Sequence, residues 1–166
     1  MKKYKVGFYG GKFMPFHKGH DYCIRVASEQ CEQVHVILFY GGDDEIRIMR
    51  ETSDSDREML SLESRLERLN TIVKQYGNVK VTVIDVTDVK LPDGEEDWDG
   101  ETPLVLAVTG RMDAVYSSEP GYSEYFARAY PWAEHILVDP PRVNYPISGT
   151  KIRGFKTRKE KEEWML

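Results

Sequence analysis

Apolar residues fall along this chain in short runs, separated by polar segments with helical spacing. Tyr4 to Tyr9 reads as a first strand, buried on both faces at its centre, and Gly19 to Cys31 as a first helix. Tyr22, Val26 and Ala27 are among the helix positions able to face a sheet. Val34-His35-Val36-Ile37-Leu38-Phe39 is a continuous apolar run of the kind a central parallel strand shows. Gly41-Gly42-Asp43-Asp44 marks a turn, and the polar stretch to about Glu63 reads as a mobile connection. Ser64 to Gln75 regains helical spacing, with Leu66, Leu69, Ile72 and Val73 on one face.

Val79 to Val86 alternates as a third strand. Residues 87–102 are acidic, carry Pro92, Gly94 and Gly100, and read as a long loop around Trp98. Pro103 to Thr109 fits either a strand or a short helix, and Asp99 to Gly110 shows no clear amphipathic face. Asp113 to Ser117 reads as a fourth strand, Tyr122 to Tyr130 as a short helix and His135 to Val138 as a fifth strand. The charged tail, Lys156 to Glu163, reads as a solvated helix surface. Strands alternating with helices predict an α/β fold: one domain with a five-stranded parallel sheet and helices on both faces.

A length of 166 residues suits one domain with a real core. The net charge of −5 argues against a nucleic-acid partner held by bulk positive charge, so any phosphate site must be locally basic. Lys12, Lys18, Lys151 and Arg153 can supply that. No apolar run approaches the roughly 20 residues that span a bilayer, and the basic start lacks the apolar core of a signal peptide. A cytoplasmic protein with no membrane partner is expected. Cys23 and Cys31 lie on one predicted helix, separated by a rise of roughly 12 Å, too far for a disulfide. Both are expected to be reduced packing residues, and no spacing resembles a zinc site.

The chemistry concentrates between Gly10 and His20. A strand, two glycines, Lys12, a pair of histidines and a helix start build an anion site in that order. Glycine lets backbone approach a ligand, and a helix N-terminus favours phosphate. His17 and His20, spaced i, i+3, suit metal ligation, an ordinary surface pair or stabilisation of a reacting phosphate. A metal would want a third ligand, and the sequence offers no obvious one. His35 and His135, inside apolar strand runs, are assigned to structure.

A second element is Ser148-Gly149-Thr150-Lys151-Ile152-Arg153. Ser148 can cap a helix, Thr150 can meet phosphate oxygens and Arg153 offers a planar fork. A capped helix with solvated cations is the alternative. In a parallel sheet the loops after the strands gather at one edge, so both elements can face one triphosphate.

Gly11 to His20 resembles the HxGH signature of the nucleotidylyltransferase superfamily, and Ile147 to Arg153 its ISxTxxR signature. The chain is most similar to the NadR-type nicotinamide mononucleotide adenylyltransferases. Gly41 to Asp44, Asp113 to Glu119 and Leu137 to Arg142 carry that likeness beyond the signatures. The resemblance implies a Rossmann-like domain in which nicotinamide mononucleotide attacks the α-phosphorus of ATP, giving NAD and pyrophosphate. His17 and His20 would contact the reacting phosphates. Lys12, Ser148, Thr150 and Arg153 would hold the β- and γ-phosphates, with Mg²⁺ bridged by phosphates and no metal ligand from the protein. Gly10, Gly11, Phe13 and Gly19 would frame ATP, and Ser117, Ser118 and Glu119 the adenosine pocket.

On the acceptor side the resemblance implies Trp98 stacking on the nicotinamide ring, where an aromatic face suits a pyridinium, with Asp43 nearby. A loop anchor is the alternative role for Trp98. Other phosphorylated acceptors are phosphopantetheine, flavin mononucleotide or an alcohol phosphate with CTP. A module that senses nucleotide without turnover is a further possibility. Arg65 stands where the superfamily often has an arginine after the polar loop, but a solvated helix face accounts for Arg57, Arg65 and Arg68 about as well, and all three are left out of the catalytic set. The module begins at about residue 4 and runs to Leu166, so no helix-turn-helix domain is expected beside it, and with no G-x-x-x-x-G-K-[ST] loop no kinase domain is expected either. Association of copies of the chain is compatible with all of this.

Overall fold

The computed structural model describes residues 1–166. Five strands form one sheet: β1 (Tyr4–Gly11), β2 (Cys31–Tyr40), β3 (Val79–Asp85), β4 (Ala114–Ser117) and β5 (Glu134–Leu137). Every pairing is parallel, in the order β3-β2-β1-β4-β5. Helix α1 (Lys18–Gln30) joins β1 to β2, and α4 (Leu62–Val73) precedes β3. Helix α5 (Trp98–Thr109) precedes β4, and α6 (Ser123–Ala129) precedes β5.

Alternation along the strands sorts side chains into two cores. Tyr9, Val36, Leu38 and Tyr116 pack with Ile24, Ala27 and Leu69 on one face. Phe8, Ile37, Ile84 and Val115 pack with Val105 and Tyr130 on the other. Helices therefore cover both faces, which is why Val34 to Leu38 is buried without a break. The expected fold class is the observed one. Successive strands step one way from β1 through β2 to β3, then β4 and β5 lie on the other side. That reversal beside β1 opens a crevice at the strand C-termini.

Four expectations need correction. The polar stretch after Gly42 is helical: α2 (Asp43–Glu51), α3 (Asp54–Arg57) and a 3-10 turn at Glu58–Leu60. The inward positions of α2 are Glu45 and Ile48, so its buried stripe is half charged and its apolar period is hidden. The supposed loop around Trp98 ends at Asp97, which caps α5 by accepting the Gly100 N–H at 3.1 Å. Helix α5 runs through Pro103 and buries Glu101, Val105 and Thr109 at four-residue spacing. The tail is not simply solvated. In α8 (Arg158–Trp164), Lys161 is buried and meets Asp56 at 2.5 Å. Cys31 begins β2 rather than ending α1, and both cysteines are buried free thiols.

Helix α7 (Gly149–Arg153) carries the second signature and is tied to the first. Met14, Ile48, Met59, Leu60, Ile147, Ile152 and Met165 form a third core beneath the two segments. Arg153 Nη1 donates to the Met14 carbonyl at 2.7 Å.

Candidate active site

His17 is the N-cap of α1, and its Nδ1 accepts the Gly19 N–H at 3.0 Å. His20 Nδ1 accepts the His17 N–H at 3.1 Å, completing a reciprocal capping box. An imidazole that accepts at Nδ1 must carry its proton at Nε2 when neutral, so the network assigns both tautomers. The rings stack with centroids 3.6 Å apart, and Phe13 and Phe16 pack against His20 at 4.9 and 5.5 Å. Burial lowers His17 to about 3, helped by the nearby positive charge of Arg142. Burial, His17 and Arg142 hold His20 well below the usual histidine value. The pair is therefore two oriented, neutral N–H donors rather than two cations.

Glycine at 19 has a specific reason. A Cβ there would sit 2.9 Å from His17 Cε1 and 3.0 Å from its Nδ1. Gly10 is needed for packing, since a Cβ would lie 2.6 Å from the Phe39 ring.

A cavity of about 670 Å³ opens at the strand C-termini, within the size range of ligand sites. It brings together Gly10, Gly11, Lys12, Asp43, Ser117 and Trp98 from the expected set. Lys12 Nζ meets Glu96 Oε1 at 2.9 Å and donates to the Gly41 carbonyl at 2.5 Å. Asp43 Oδ1 accepts the Glu96 N–H at 3.1 Å. Trp98 is 40% exposed, and Tyr122 and Tyr125 meet it edge-on at 5.0 and 5.3 Å. It opens a helix beside the cavity instead of anchoring a loop. Ser117 Oγ is bonded to His135 Nε2 at 2.7 Å, consistent with a structural role for His135.

Other expected residues lie elsewhere. Thr150 and Arg153 line a second cavity of about 510 Å³, with Arg47 and Lys161. Arg153 Nη2 donates to Thr150 Oγ1 at 3.2 Å, and burial, then Arg47, lowers its basicity. Ser148 caps α7 by accepting the Lys151 N–H at 3.1 Å. His17 and His20 line neither of these two cavities. The Phe13 ring is buried beside His20, away from both cavities, so its side chain positions an imidazole. Ser118 Oγ contacts Cys23 Sγ at 3.2 Å, and Lys18 lies over the Trp164 ring at 5.8 Å.

Sequence reasoning passed over three groups. Arg142, whose Nη1 donates to the Ile147 carbonyl at 2.7 Å, sets the positive field at the histidines. Its placement just before the second signature was the available signal. Arg65 is not on a solvated face: it is fully buried, pairs with Glu45 at 2.8 Å and donates to the Lys12 carbonyl at 3.1 Å. Glu96 and Glu101, hidden in an acidic stretch, line the first cavity. No group of three His, Cys, Asp or Glu side chains is arranged to hold a metal ion, and no helix is long and apolar enough to cross a membrane.

The sequence pattern of the cytidylyltransferase-like family matches residues 8–155. The trifunctional NAD biosynthesis/regulator protein NadR of Escherichia coli strain K12 is 28% identical over 158 residues, covering 92% of this chain and 37% of that protein. The nicotinamide-nucleotide adenylyltransferase of Methanosarcina mazei is 25% identical over 159 residues, covering 96% and 81%. A crystal structure of NadR in complex with NR has the same fold, with a TM-score of 0.65 at 21% identity, covering 99% of this chain and 43% of that one. The chain spans a little over a third of the length of the NadR proteins it matches.

Proposed function

The chain belongs to the cytidylyltransferase-like family, and on that premise we propose that it transfers the adenylyl group of ATP to nicotinamide mononucleotide. The products are NAD and pyrophosphate. A 5′-phosphate oxygen of the mononucleotide forms a bond to the α-phosphorus, and the bond from that phosphorus to the β-bridging oxygen breaks. The nucleophile is already an anion, so no side chain need remove a proton. Catalysis consists of holding two anions in line and stabilising spread negative charge.

The observation that carries this reading is the imidazole pair. Two neutral Nε2–H donors, fixed by the α1 cap, suit oxygens whose charge grows during transfer. Lys12, Ser148, Thr150 and Arg153 would hold the leaving pyrophosphate, which must then reach from the first cavity towards the second. Lys12 must leave Glu96 to do so. Mg²⁺ fits as an ion carried on the triphosphate, where it supplies neutralising charge. Trp98 and its tyrosine neighbours would take the pyridinium ring, supported by their place on a carboxylate-rich cavity. A cytoplasmic setting suits the two free thiols.

The test is formation of NAD and pyrophosphate by purified protein with ATP, Mg²⁺ and nicotinamide mononucleotide. His17→Asn keeps an acceptor for the Gly19 N–H and removes the Nε2–H donor. It should lower kcat by about 10²–10³ with little change in KM for ATP. Pyrophosphate released only with another phosphorylated acceptor would reassign the acceptor. Tight ATP binding without turnover would leave a nucleotide sensor.

A further inference from the structure

We propose that Glu101 is a specificity-determining residue: its buried Oε2 accepts a hydrogen bond from the carboxamide of the pyridine ring, and the Glu96–Glu101 pair excludes the carboxylate analogue. The inference rests on the acceptor reading above and names the group that would enforce it.

Glu101 is 5% exposed and lines the 670 Å³ cavity, and its Oε2 has no hydrogen-bond partner within the protein. A buried acceptor left unpaired costs on the order of 1–3 kcal/mol, so an unpaired oxygen on a cavity-lining residue points to a donor that arrives with the ligand. Glu101 follows Trp98 by three residues on α5, so the two share a helix face about one turn apart, roughly 4.5 Å along the axis. A ring stacked on Trp98 would thus present its edge towards Glu101.

The protonation of the pair fits the same role. Burial and a hydrogen bond to the Glu96 carboxyl push Glu101 well above the usual carboxylate range, with Asp97 adding to the rise and Lys12 opposing it. A neutral Glu101 whose O–H donates a hydrogen bond to Glu96 retains one free acceptor oxygen, matching the unpartnered Oε2. Lys12 is the one cation among the cavity's lining residues, against seven carboxylates. That surround favours a positively charged ring carrying an N–H donor. It opposes a ring bearing a carboxylate, which would place oxygen against oxygen and add negative charge.

The experiment compares kcat/KM for nicotinamide mononucleotide and its deamidated analogue, both with ATP and Mg²⁺, in the wild type and in Glu101→Gln. Wild type should favour the amide by about 10² or more. Glu101→Gln can turn its amide to donate, so the ratio should fall at least tenfold, chiefly through gained turnover of the acid, with KM for ATP unchanged. Glu96→Gln serves as a second variant should the first fail to fold, with the ratio falling in the same direction. A ratio unchanged in either folded variant, or a wild type indifferent to the two acceptors, overturns the role of Glu101 while leaving the adenylyl transfer intact. No dinucleotide from either acceptor in the wild type overturns the acceptor reading, and this inference with it.

Discussion

His20 accepts the backbone N–H of His17 through Nδ1 at 3.1 Å, and the two rings stack with their centroids 3.6 Å apart. The bonds that cap α1 also lock both imidazoles in one tautomer. Local helix structure and candidate chemistry here depend on the same atoms.

That arrangement makes stability sensitive to acid. His17 is lowered to about 3 in the folded protein, and His20 lies well below its usual value. Unfolded histidine ionises near 6.5, so between about 6.5 and 3 the unfolded chain binds more protons than the folded one. Stability contributed by the neutral pair is complete above about pH 6.5 and lost as pH falls towards 3. The urea midpoint should therefore drop from pH 7 to pH 5, and His17→Asn should flatten part of that slope. Equal slopes in the two proteins would mean that His17 is already charged in the folded state.

Gly19→Ala disturbs the His17 ring directly. A methyl group at 19 would press on His17 Cε1 and Nδ1 at 2.9 and 3.0 Å, forcing the ring to move. Alanine is otherwise favourable in a helix. Disturbing the His17 cap should cost about 0.5–2 kcal/mol, partly offset by alanine, while turnover falls by about 10², the scale expected for an ångström of misplacement. Unchanged turnover would show that the ring position is not critical.

Glu45→Ala tests the ion pair beneath Lys12. Arg65 is 1% exposed, and losing Glu45 would leave its guanidinium buried without a counter-charge. The expected cost is about 3–5 kcal/mol, measured by denaturant unfolding. Replacing both residues by Glu45→Leu and Arg65→Met should cost less than the single change, because no unpaired charge remains. A single variant as stable as wild type would place Arg65 in contact with solvent.

Much of this protein was legible before any coordinates. The run Val34 to Leu38, apolar at every position but His35, identified a strand covered on both faces, because a strand with one solvated face alternates. Glycines and histidines after the first strand marked the candidate site, since their spacing matched a turn leading into a helix. Helices α2 and α5 were not legible, for one shared reason. Each buries a glutamate in its inward stripe, Glu45 in α2 and Glu101 in α5. A glutamate in a periodic stripe reads as solvent-facing, and its burial depends on a partner outside its own helix.

By itself the sequence determined the α/β class, the strand order along the chain and the two signature segments, all of which follow from local period and spacing. Tertiary structure alone decided which charges are buried and what each one meets. Arg65 reaches Glu45, Lys12 reaches Glu96, and Glu101 is packed against the Glu96 carboxyl. Such pairings join residues separated by up to 84 positions, as Lys12 and Glu96 are. Electrostatic energies in a low-dielectric interior depend on those distances and on burial, neither of which a linear pattern contains.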